Sequence, residues 1–198
     1  MANPTLSICR GRDITPHLPA LAQLRIRVFR DFPYLYDGDE AYEASYLERY
    51  AANPESFFVL AFDGDTLVGA ATGQPLDDEV DDFRAPFEAA GYRPEGVFYY
   101  GESVLLPEYR GRGIGKAFME ARESHAESEG FGHAAFCAVE RPVDHPLKPD
   151  DYRPLHDFWN AWGYRRTPSL STTFSWKDID ADEETAKPMI FWLKALDS

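Results

Sequence analysis

The chain has 198 residues and a formal net charge of −14, from 20 lysines and arginines against 34 aspartates and glutamates. An acidic field of that size excludes nucleic acid as the expected partner, because phosphate binding is driven by Lys and Arg. Apolar residues at 44% and aromatics at 15% exclude disorder and are ample for the core of one domain spanning 1–198.

Two cysteines, Cys9 and Cys137, lie far apart with no C-x-x-C spacing, which suits a reducing compartment and offers no metal cluster. Residues 1–13 carry no apolar leader, and the purely apolar run Phe57–Phe62 is strand-length, far short of a membrane span. A cytoplasmic protein without membrane association is expected.

In chain order, Leu6–Arg12 reads as a first strand. Thr15-Pro16 opens a helix whose apolar positions Leu18, Leu21, Leu24, Ile26, Val28 and Phe29 follow a period close to 3.6, and it stops near Phe32-Pro33. Tyr34–Gly38 is an aromatic loop, and Glu40–Ala52 is a second helix ended by Asn53-Pro54. Phe57–Phe62 and Thr66–Thr72 form a hairpin across Asp63-Gly64-Asp65. The acidic, proline-punctuated stretch about 75–96 reads as a surface insertion in which Phe83 and Phe87 anchor a short helix. Val97–Leu106 is a central strand. A helix follows from about Gly113 to Gly130, then a strand Phe131–Val139 parallel to the central one through a β-α-β crossover. A Pro-rich loop at about 141–152, a helix Pro154–Trp162 closed by Gly163, strands at Tyr164–Trp176, an acidic loop 177–187 and a last strand Met189–Leu196 complete the chain.

The stretch Val104–Lys116 stands out. Gly111, Gly113 and Gly115 alternate between Arg110, Arg112 and Lys116, at the junction of a strand and a helix. Glycines let backbone amides crowd together, and a helix N-terminus adds unpaired N–H groups and positive dipole, which makes an anion site for phosphate or pyrophosphate. The Walker A pattern fails, since Arg110 stands where it needs glycine and Ala117 where it needs Ser or Thr. The G-x-G-x-x-G fingerprint meets Lys116 or Phe118 at its last position and fails as well.

What remains is Arg110-x-x-Gly113-x-Gly115 after a short apolar strand, and downstream Phe158-Trp159-Asn160-Ala161-Trp162-Gly163-Tyr164. Both resemble motifs of the GNAT superfamily of N-acetyltransferases: the acetyl-CoA pyrophosphate loop Gln/Arg-x-x-Gly-x-Gly/Ala and the Phe-Tyr-x-x-x-Gly-Phe signature. The resemblance extends over about 5–198, most specifically in the central third. It implies an α/β (α+β) fold, with a mixed, mostly antiparallel sheet flanked by helices and one parallel strand pair splayed at the cofactor cleft. It implies an acyltransferase moving acetyl from acetyl-CoA, as cosubstrate and without a metal, to an amine, most simply a small primary amine. The alternatives are a protein N-terminus or lysine as the amine, a non-catalytic acyl-CoA-binding module, a different acyl chain, or a hydroxyl acceptor.

By that resemblance, Val104 and Leu106 supply backbone contacts to the pantetheine arm and one of their amides polarises the thioester, with Leu105 between them in the cofactor-binding set. Arg110, Gly111, Arg112, Gly113, Ile114, Gly115 and Lys116 hold the pyrophosphate. Glu102, on the strand just before them, is the candidate base. The signature's usual Tyr is Trp159 here, and an indole N–H is no useful proton donor to a thiolate. Tyr164 and His156 become candidates for that role, with Tyr152 nearby. Tyr34, Tyr36, Glu140 and His145 are candidate acceptor contacts. The spacing of His133, His145 and His156 matches no compact metal motif. Family habit and an apolar segment Met189–Leu193 suggest a homodimer.

Overall fold

A computed structural model describes residues 4–196. The elements in order are β1 (Thr5–Arg10), α1 (Leu18–Phe29), α2 (Glu40–Ala52), β2 (Phe57–Asp63), β3 (Thr66–Pro75), α3 (Asp81–Ala89), β4 (Val97–Tyr99), β5 (Ser103–Leu105), α4 (Ile114–Ser128), β6 (His133–Val139), α5 (His156–Ala161), β7 (Arg165–Lys177) and β8 (Glu184–Ala195). The strands form one sheet in the order β1-β2-β3-β4-β6-β8-β7, with β5 also paired to β3. Every pairing is antiparallel except β4 with β6. The mixed, mostly antiparallel sheet with one parallel pair is the architecture expected above.

Helices cover both faces of the sheet. Phe57 stacks on His125 of α4 at 4.2 Å, while the next residue, Phe58, meets Tyr50 of α2 at 6.5 Å. Successive strand residues point to opposite faces, so a strand covered on both sides is apolar throughout. Phe57–Ala61 are accordingly all buried, at a gain of about 1.5–3 kcal/mol for each large side chain.

Helix boundaries follow local chemistry. The Asp39 side chain accepts a hydrogen bond from the Tyr42 amide at 2.8 Å and caps α2. The first helix begins at Leu18, after a 3-10 segment Gly11–His17, and not at Thr15 as expected. An α-helix starting at Thr15 would need an N–H from Pro19. Starting at Leu18 places that proline in the first turn, where no donor is required. The acidic insertion is more than surface. Phe87 is fully buried and packs edge-on against Phe191 at 4.9 Å, in a second small core with Leu76, Val97, Tyr99 and Leu170.

Two other expectations change. The acidic loop expected at 177–187 is shorter, because β7 and β8 stay paired out to Lys177 opposite Glu184. Met189–Leu193 is not an exposed apolar edge: β8 is hydrogen-bonded on one side to β6 and on the other to β7. The sequence ground for a homodimer through that segment is therefore removed.

The expected central strand 97–106 is split. The Tyr100 amide donates to Ala135 of β6 at 2.8 Å, while the Glu102 carbonyl accepts from Thr72 of β3 at 3.0 Å. The chain thus changes partners across Gly101. A Cβ there would lie 2.6 Å from the Tyr50 hydroxyl and 2.7 Å from Thr72 Oγ1, so only glycine fits. Arg122 of α4, 2% exposed, pins the break. Its Nη1 donates to the Thr72 carbonyl (3.2 Å) and the Glu102 carbonyl (3.0 Å), its Nη2 to Ser103 Oγ (2.8 Å), and it lies 4.1 Å from the Tyr100 ring centre. As a result β5 leans to β3, and a gap opens between β5 and β6. Among the described residues no helix is long and apolar enough to cross a membrane.

Candidate active site

The glycine turn has the geometry that an anion cradle needs. Gly111 (φ 74°) and Gly113 (φ 82°) adopt left-handed conformations, and α4 starts at Ile114 with no side-chain cap. The first α-helical bond runs from the Ala117 amide to the Gly113 carbonyl. The amides of Ile114, Gly115 and Lys116 precede it and point out of the helix end. A Cβ at Gly111, Gly113 or Gly115 would meet nothing within 4 Å. Backbone amides thus face open space, as a pyrophosphate requires.

The basic residues divide. Arg110 and Lys116 line the cleft, and Arg110 Nε reaches the Leu105 carbonyl at 3.4 Å. Arg112 turns away, donating to the Glu108 carbonyl at 2.8 Å and covering the Tyr109 ring at 5.0 Å. Lys116 is well exposed, 3.8 Å from Glu120. The Val104, Leu106 and Ile114 side chains belong to the core.

The backbone of β5 corrects one expectation. In an antiparallel ladder alternate residues bond to the partner and the others face away. Thr72 bonds the Glu102 carbonyl and Leu106 donates to Val68 at 3.0 Å, and Val104 stands opposite Ala70. The amides of Val104 and Leu106 are therefore committed to β3. It is Ser103 and Leu105 whose backbone groups turn toward the gap.

The gap is a cleft of about 950 Å³. The glycine turn and Leu105 border it at one end. Phe29, Phe32, Tyr34 and Glu102 line it elsewhere, and β6 closes one side with Phe136, Cys137 and Ala138. Glu102 is 8% exposed and forms an ion pair with Arg25 of α1, which also holds Glu43 of α2. The Arg25 guanidinium lies 4.3 Å from the Tyr46 ring centre and 5.1 Å from that of Phe29, and the Tyr46 hydroxyl donates to Glu102 Oε2 at 3.4 Å. Burial works against the charge on Arg25, but Glu102, Tyr46 and Glu43 more than offset it and hold its pKa well above the usual value. Two carboxylates share one guanidinium, which leaves one net negative charge. Oε1 of Glu102 and Oε1 of Glu43 are buried without a hydrogen-bond partner.

The remaining candidates scatter. Tyr34 and His156 line the cleft, as do Tyr152 and Cys137. Loss of water around the Tyr34 and Tyr152 hydroxyls raises both pKa values. The His156 ring packs on Trp192 at 5.2 Å and Trp159 at 5.7 Å. Tyr164 is fully buried, its hydroxyl donating to that of Tyr100 at 3.0 Å, and it does not line the cleft. Tyr36 and Glu140 also lie off the lining: Tyr36 bridges to Asp178, and Glu140 is tied to Arg166. His145 stands behind the wall, 5.7 Å from the Phe32 ring.

Sequence reading missed Arg25, Arg122 and Arg141. Arg25 carried a signal: it falls four residues after Leu21 and four before Phe29, a charge on an apolar helix face. Arg141 gave none. It donates from Nε to the Pro33 carbonyl (2.8 Å), from Nη2 to the Tyr34 carbonyl (2.6 Å) and from Nη1 to Asp178 (2.8 Å), and these partners are remote in sequence.

Residues 20–148 match the family model described as Acetyltransferase (GNAT) family, a span that holds Arg25, Glu102 and the whole glycine turn. No curated protein matches the chain by sequence. Among solved structures it resembles ribosomal-protein-alanine N-acetyltransferase from Brucella melitensis, at 16% identity and a TM-score of 0.62 over 96% of this chain and 99% of that one. It also resembles Arabidopsis thaliana NAA60 in complex with a bisubstrate analogue, at 12% identity and a TM-score of 0.62 over 98% and 100%. The yncA protein of Salmonella typhimurium, solved with its cofactor acetyl-CoA, superposes with a TM-score of 0.59 at 11% identity over 98% and 95%. At such identities the structures speak for the fold alone. The family model covers well over half of the chain and includes the glycine turn, and on that ground the chain belongs to the GNAT acetyltransferase family.

Proposed function

We propose that the protein acetylates a small primary amine with acetyl-CoA, by direct attack of the amine on the thioester. The observation that carries this reading is Glu102, a residue that lines the cleft and whose buried carboxylate has one oxygen, Oε1, without a hydrogen-bond partner. A buried acceptor left unpaired costs about 1–3 kcal/mol, more for a charged group. An ammonium group donating to that oxygen removes the cost, and the single net negative charge of the Glu43–Arg25–Glu102 cluster favours it.

The chemistry asks little more of the chain. Glu102 accepts the proton that the amine must lose, and the freed lone pair attacks the carbonyl carbon. The C–S bond breaks with its electron pair on sulfur. The nitrogen loses its second proton as the amide forms, and the thiolate takes up one proton from the cleft wall or solvent. The balance is one ammonium plus the thioester giving one amide, one free thiol and one proton. The amides of Ser103 and Leu105 face the gap and are the candidate donors to the carbonyl oxygen as charge develops there. The amides of the glycine turn, with Arg110 and Lys116, fit the pyrophosphate. For the thiolate, His156 and Tyr152 are the candidates on the cleft, and Tyr164 would act only through Tyr100. A thiolate with a pKa near that of cysteine, about 8.5, also leaves without an acid.

The test is Glu102→Gln, assayed by free-thiol release from acetyl-CoA with amine and hydroxyl acceptors. Turnover with amines should fall by about 10²–10⁴-fold, the usual weight of a positioned base, with acetyl-CoA binding retained. Unchanged turnover at saturating amine would remove Glu102 from the mechanism. Faster release with hydroxyl acceptors would move the substrate class.

A further inference from the structure

The part of the cleft around Glu102 is built from rings. Phe29 and Tyr34 meet at 4.7 Å between ring centres, and Phe32 and Tyr152 meet edge-on, also at 4.7 Å. All four line the same cleft as Glu102. The rings and the unsatisfied carboxylate therefore share one chamber.

The wall is also braced. Arg141 holds the Pro33 and Tyr34 carbonyls, the Trp176 indole donates to the Tyr34 carbonyl at 2.9 Å, and Asp178 fixes Arg141 through both carboxylate oxygens at 2.8 Å. A wall held by a guanidinium, an indole and an ion pair is set before any ligand arrives, which lowers the cost of ordering it.

These features select among amines. Resting on the reading that the cleft acetylates an amine, we propose that the acceptor is a monoamine carrying an aromatic ring, the ring between Phe29, Phe32, Tyr34 and Tyr152 and the nitrogen beside the Glu102 carboxylate. Ring faces attract both an aromatic edge and an adjacent cation. A hydroxyl-rich amine would lose water in this chamber without finding partners. A polyamine would need a second buried carboxylate. The other acids on the cleft, Asp31 and Asp151, are exposed, and Asp31 lies 3.8 Å from Arg110.

The experiment compares 2-phenylethylamine, n-butylamine, spermidine, glucosamine and a peptide with a free N-terminus by thiol release from acetyl-CoA. 2-Phenylethylamine should exceed each of the others in kcat/KM by about 10-fold or more, the discrimination that a shaped apolar pocket supplies. Phe32→Ala and Tyr152→Ala should erase that margin through the amine KM while leaving the acetyl-CoA KM in place. Phe32→Leu keeps the apolar volume without the ring and should lose most of the margin too. A larger kcat/KM for butylamine, spermidine, glucosamine or the peptide overturns the aryl assignment and leaves acetyl transfer standing. No thiol release with any amine overturns the underlying reading instead. A margin that survives all three variants refutes the aromatic wall as its source.

Discussion

Replacing Arg25 by methionine tests the ion cluster behind the candidate base. The guanidinium is buried against two buried carboxylates, Glu43 and Glu102, and two aromatic rings. Removing one partner of a buried ion pair costs about 3–5 kcal/mol, because the other charge is left uncompensated. Each lost cation–π contact adds about 0.5–1 kcal/mol or somewhat more in a dry site. The total is about 4–7 kcal/mol, a large part of the ~5–15 kcal/mol that holds a domain folded. At about 2–4 °C per kcal/mol for a chain of this size, Tm should fall by ~10–25 °C. Urea titration followed by circular dichroism should show the midpoint shift with little change in slope. Arg25→Met combined with Glu43→Gln should recover part of the loss, since one of the stranded carboxylates is gone. A loss below about 1 kcal/mol for Arg25→Met, smaller than any buried pair should give, would refute the cluster and the unpaired-carboxylate argument that depends on it.

Arg110→Ala should raise the acetyl-CoA KM about 10–100-fold, the weight of one charged hydrogen bond, with the amine KM little changed; Arg112→Ala should do less, because that side chain turns to Glu108 and Tyr109, and steady-state kinetics separate the two. Burial pushes the Asp178 pKa up, but the Arg141 hydrogen bond and the charges of Arg141 and Lys187 outweigh it, so the folded value lies below the ordinary one. Its stabilising contribution is therefore fully present above the unfolded carboxylate pKa of about 3.9 and is lost as pH falls through the lower folded value. Asp178→Asn should lower Tm at pH 7 and do so much less near pH 2, which thermal melts at the two pH values check. Burial pushes the Cys137 thiol up to about 12. At pH 8 it should react with a disulfide reagent about a thousandfold more slowly than a free thiol, since only the thiolate attacks, and it should become reactive on denaturation.

Local chemistry made much of the fold readable from the residues. The hairpin around Asp63–Asp65, the second helix ended by Asn53-Pro54 and the glycine turn at the head of α4 each depend on neighbours within a few positions, and each stands where the sequence puts it. The cleft is different. The split of the central strand arises because Tyr100 bonds Ala135, Glu102 bonds Thr72 and Arg122 locks the step between them, three contacts between segments far apart in sequence. That step decides which backbone amides face the gap, and so Ser103 and Leu105 stand where Val104 and Leu106 were expected. The same holds for the carboxylate. Sequence named Glu102, but its partner Arg25 lies on a helix 77 positions earlier, and only packing could reveal that one oxygen is paired and the other buried without a partner. Periodicity and turn chemistry determine elements because they act through adjacent residues, whereas a binding site is an arrangement of surfaces that only the tertiary structure brings together.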